Sequence, residues 1–158
     1  MTEILLNDDF SALEAGKFSA NVGAHTEYHY LPEAAPKGNW TVAAFRSGEA
    51  SGEAWQVKQV NGAQVMAQTF TNPLPHTHPM LSTGDDLWRD YSVTMRFTPE
   101  IKQGQVGVAV RYRNSRCYYF FGLNEHGLVL KMVQHEVEFH QPYEVILSSQ
   151  TCDSFAER

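Results

Sequence analysis

Residues 106–123 read VGVAVRYRNSRCYYFFGL, two alternating runs joined by a polar turn, and few folds accommodate such a stretch. Successive side chains of a strand point to opposite faces, so Val106, Val108 and Val110 fall on one side and Gly107, Ala109 and Arg111 on the other. The valine face is expected to be core. After Asn114-Ser115 the chain returns through Cys117, Tyr118, Tyr119, Phe120 and Phe121, residue types that favour strands. A β-hairpin that buries one face and shows Arg and Tyr on the other is the expectation.

The rest of the chain repeats this grammar. Strands are expected over residues 4–10, 40–45 (WTVAAF), 55–60 (WQVKQV), 63–70 (AQVMAQTF), 91–97 (YSVTMRF), 106–113, 117–123 and 128–135, with 137–139 as an extension. Residues 11–15 read as a single helical turn. Asn61-Gly62 is a strong hairpin signal, because a two-residue turn needs positive φ at both positions. Residues 18–38 and 71–79 read as loops, the first rich in His, Pro, Ala and Gly, the second carrying three prolines and HTHP. Short strands at this spacing with turn signals between them predict an all-β antiparallel β-sandwich or jelly roll, one domain over residues 1–158.

Composition narrows the function classes. A chain of 158 residues with 42% hydrophobic and 19% charged residues can bury a proper core. A net charge of −6 without a Lys/Arg cluster argues against nucleic acid and anionic membranes as partners. No stretch is long enough to span a bilayer as a helix, and Ile4, Leu5 and Leu6 fall short of a signal-peptide apolar region. The chain as written reads as cytoplasmic, or as secreted if a leader was removed. Cys117 and Cys152 are too few for a disulfide framework.

The order DDF near the start, W-x-V strands in the first half, then GDDLWRDYSVTMRF, GVAVRYRNSRCYYFFGL and LVLKMV, resembles the concanavalin A-like (laminin G-like) jelly roll attached to many polysaccharide-degrading enzymes. The likeness covers residues 85–133 best. The tyrosine-rich RYRNSRCYYFFGL is similar to domains of pectic and rhamnogalacturonan lyases. Such domains continue with further closing strands, whereas this chain stops at SSQTCDSFAER. The resemblance therefore implies a sandwich lacking its last strands, either a fragment of a longer protein or one completed by another chain or a second copy. The alternative is that the N-terminal excursion closes the sheet.

Several residue sets carry candidate chemistry. Arg111 with Tyr119 or Tyr118 could form a platform for an oligosaccharide or polysaccharide, the sugar ring stacking on the aromatic face while guanidinium donors grip hydroxyls or a uronate carboxylate. Arg113 and His135 are neighbouring candidates, and solvent is the default for Arg113 and Arg116. HEVEFH at 135–140 has its second His one residue too late for an HExxH zinc site. Glu136 and Glu138 would share a strand face about 6.5 to 7 Å apart, against the ~5 to 5.5 Å of a retaining glycosidase, so a solvated edge strand is the preferred reading. His76 and His78 form a possible metal or acid/base pair. A β-eliminating lyase could draw on His76, His78, His135, Tyr119 and Arg111 if the fold gathers them. Asp8, Asp9 and Glu14 lie where jelly rolls of this type hold a structural calcium; a charged turn is the plain alternative. Trp40, Trp55 and Trp88 read as core or rim packing. The leading functional expectation is a carbohydrate-recognition or accessory module. A glycoside hydrolase or polysaccharide lyase comes second, and a structural half-domain third.

Overall fold

The computed structural model describes residues 3–18, 38–44, 54–70, 78–100, 104–114, 116–134 and 143–152. The protein is all-β and its strands pair antiparallel throughout. It divides into two compact units, Met1–Arg89 and Asp90–Arg158. Among the described residues no helix is long and apolar enough to cross a membrane.

Among the described residues the first unit holds five strands: β1 (Gly16–Phe18), β2 (Thr41–Ala44), β3 (Trp55–Val60), β4 (Ala63–Gln68) and β5 (Pro79–Ser82). They form a three-stranded sheet in the order β1-β3-β4 and a two-stranded sheet of β2 and β5. Asn61 and Gly62, at φ 51° and 82°, make the β3–β4 turn that the Asn-Gly pair requires. Val60 and Ala63 face each other across it. Phe18 and Val57 from the larger sheet and Val42 from the smaller are buried together, with Leu13, Trp40, Trp55, Met66 and Leu81 packed around them. Two sheets facing across one apolar cluster form a small sandwich-like arrangement. Trp40 and Trp55 are thus packing residues of this unit.

Two expectations about this unit fail for identifiable reasons. Residues 4–10 form no strand, because the Asp8 and Asp9 side chains bind the backbone two residues on: Phe10 N–H donates to Asp8 Oδ1 at 2.8 Å and Ser11 N–H to Asp9 Oδ1 at 3.0 Å. Local side-chain acceptors of this kind compete with a sheet ladder, and Phe10 takes a left-handed φ of 62° in the resulting knuckle. Strand β5 begins at Pro79, the last residue of the expected 71–79 loop, opposite Ala44, and continues to Ser82, where no strand had been expected. Proline is tolerated as the first residue of a strand.

Among the described residues the second unit is a four-stranded meander of β6 (Val106–Asn114), β7 (Cys117–Asn124), β8 (Gly127–Gln134) and β9 (Glu144–Thr151), in that spatial order. The first three match their sequence expectations; β9 was not foreseen. The alternating YSVTMRF run belongs to no strand, and residues 91–98 are all exposed. The faces of the β6–β7 hairpin are also the reverse of the expectation. Tyr118, Phe120 and Gly122 are buried, and Ala109 and Gly107 are the register partners of Phe120 and Gly122. The glycine-alanine face is therefore the crowded one. A Cβ on Gly107 would overlap the Phe121 carbonyl oxygen and the Gly122 Cα, and the tip of the Phe120 ring lies beside both glycines. Small residues stand here because a ring covers them, not because the face is open.

Candidate functional site

The open face of β7 carries Tyr119, 36% exposed, and Phe121, 54% exposed, two residues apart on one strand. Val110 and Val108 stand opposite them on β6, and Met132 and Leu130 on β8. This face is apolar and only half covered. At its hairpin end the β6–β7 register shifts between Val110 and Asn114. Three residues of β6 are thereby fitted opposite Tyr118 alone, and Arg111 adopts a left-handed φ of 51° at the start of this irregularity. An arginine in that conformation is strained, and such strain persists only where surrounding structure imposes it. Arg111 is exposed and lies one residue beyond the Val110–Tyr119 rung. Arg113 is exposed two residues further on.

The other candidates separate from this group. Tyr118 is 2% exposed, so its ring is core; it lies 6.3 Å from the Tyr112 ring. Burial, and secondarily the charge of Glu144 and the neighbouring Tyr112, push the Tyr118 phenol well above its usual range. Arg116, expected in solvent, is instead buried, and its backbone N–H donates to Asn114 Oδ1 at 2.8 Å in the turn. His135, Glu136, Glu138, His140 and His76 lie outside the described residues. His78 is half-buried just before β5.

The aspartates proposed for calcium are occupied by N–H donors. Besides the Phe10 amide, Asp8 accepts the Trp40 indole N–H at 2.8 Å and the Asn39 amide at 3.2 Å. Phe10 and Trp40 pack with ring centroids 5.6 Å apart, so Asp8 ties the N-terminal knuckle to the start of β2. Asp9 serves Ser11, whose side-chain and backbone hydrogen bonds hold its carboxyl below the usual range. Among the described residues no three His, Cys, Asp or Glu side chains gather in a metal-holding group. Cys117 and Cys152 are free thiols.

A polar cluster on the covered face of the sheet was not anticipated. Lys131, 7% exposed, donates to Glu144 Oε2 at 2.6 Å across β8 and β9, and its ammonium lies 5.5 Å from the Phe120 ring centroid. In sequence the only signal was a lysine on the inward phase of LVLKMV. Phe121 was missed as a site residue although it follows Tyr119 at the two-residue spacing of one strand face.

No protein-family model matches the sequence, and neither a curated protein nor a solved structure matches it significantly.

Proposed function

We propose that this chain is a carbohydrate-recognition module, a β-sandwich of concanavalin A-like jelly-roll type serving a polysaccharide-degrading system. The observation that carries the reading is the exposed Tyr119–Phe121 pair with Arg111 held in a left-handed conformation one residue from the Tyr119 rung. Two aromatic faces along one strand, about 6.5 to 7 Å apart, suit successive sugar rings, which stack by their C–H faces. The Arg111 guanidinium, if it reaches the same face, would supply planar, paired donors for ring hydroxyls or a carboxylate. The resemblance of the β6–β8 motifs, residues 106–133, to that jelly-roll family supports the same reading, while its YSVTMRF part forms no strand.

The test is a thermal-shift and calorimetric survey of the purified chain against neutral and uronate-containing oligosaccharides, with and without calcium. A bound sugar should raise the melting temperature, and Tyr119→Ala or Phe121→Ala should each weaken binding about tenfold, ~1.4 kcal/mol. Arg111→Gly separates function from fold: glycine keeps the left-handed backbone without strain, so melting temperature should hold or rise while affinity falls. Retained affinity in folded Arg111→Gly removes the arginine from the site. No shift with any sugar, in a protein that melts cooperatively, overturns the reading.

A further inference from the structure

Residues 92–97 alternate polar and apolar as a strand does, yet take part in no strand pairing among the described residues, and Val93, Met95 and Phe97 are exposed. The second unit also has an exposed edge. β9 is the last strand of the sheet, and seven of its eight residues are exposed, with Ile146 at 65%. The two edges of this sheet differ in kind. β6 is blunted by its irregularity and by exposed Arg111 and Arg113, devices that discourage strand addition. β9 has one small irregularity, at Leu147 between the Leu130–Ser148 and Lys131–Ile146 pairs. It contains no proline, and its single charged residue, Glu144, is already held by Lys131. Nothing in β9 repels an incoming strand, and Ile146 and Leu147 offer it apolar contact.

We infer that a second copy of this chain completes the sheet, each copy laying its 92–97 segment along the β9 edge of the other. The occupant is argued from what the described residues hold: a strand-patterned segment without a ladder, and, among the described residues, a ladder edge of similar length without a strand. A two-fold dimer satisfies both deficits twice over, since in such an interface each copy gives what it receives. It also brings the exposed apolar side chains Val93, Met95 and Phe97 of the segment against the exposed Ile146 and Leu147 of the edge. Arg96 rides on the donated strand without facing any uncompensated positive charge of β9.

The test needs no ligand. Light scattering on the intact chain at micromolar concentration should give twice the chain mass. Thr94→Pro removes a ladder donor from the segment, and Leu147→Lys puts a charge on the edge; each substitution lies at an exposed position. Each variant should weaken the dimer at least tenfold with an unchanged circular-dichroism spectrum. An equimolar mixture of the two should associate more strongly than either variant alone, because one of the two strand additions, the Leu147→Lys segment on the Thr94→Pro edge, is intact. A monomer at every concentration, variants that dimerise as the parent does, or a mixture that associates no better than either variant alone would each overturn the proposal.

Discussion

Lys131 sits on the inward phase of β8, where every second residue is buried, and its ammonium is tolerated there by two neighbours. Glu144 supplies a carboxylate at 2.6 Å and Phe120 the face of an aromatic ring. Removing one member of such a pair leaves a buried charge without compensation, which costs more than the pair itself contributes. Glu144 keeps about a quarter of its side chain in water, so the penalty falls below that of a fully enclosed pair. Glu144→Gln should destabilise the protein by about 2 to 3 kcal/mol in urea melts. Lys131→Met combined with Glu144→Leu should recover most of that loss. Arg111 presents the opposite case, an exposed residue whose backbone is strained where β6 fits three residues opposite one of β7.

The β6–β7 hairpin depends on the crossing of Gly107 and Gly122, which face each other in register under the Phe120 ring. Any side chain at Gly107 meets backbone that cannot move without breaking the ladder. Gly107→Ala is therefore expected to cost more than about 2 kcal/mol by the overpacking of a core position, read as a fall in the denaturation midpoint. The alternation of residues 106–123 identified both strands, but periodicity alone could not say which face was covered. A glycine-alanine face is equally consistent with open backbone and with backbone lying under an aromatic ring. The Asn61-Gly62 turn was legible because its conformational demand is local. The strand expected at residues 4–10 was not, because two aspartates bind their own backbone there. The 91–97 run shows the limit of pattern reading: alternation records a capacity to pair, while pairing needs an edge within reach.

At the level of the whole molecule, the buried Tyr118 and the half-buried Tyr112 of the second unit set a limit on stability at high pH. Burial lifts the Tyr112 phenol from 10.0 to about 12 and raises that of Tyr118 as well. The unfolded chain loses these protons near pH 10 while the folded chain keeps them. Their contribution is therefore complete below pH 10 and is lost as pH rises toward 12. Melting temperature should fall across that window, and Tyr112→Phe with Tyr118→Phe should flatten the dependence. The sequence by itself determined that this chain builds antiparallel sheet, because side-chain period, β-branched and aromatic content and turn chemistry are local properties. It also marked Tyr119 and Arg111 as candidate contacts. Only the tertiary structure decided that Tyr118 is core and Tyr119 surface, that Arg116 is buried, and that Lys131 meets Glu144. Each of those outcomes is fixed by which face of a sheet is covered and which strand lies beside which, and these are relations between residues far apart in the chain.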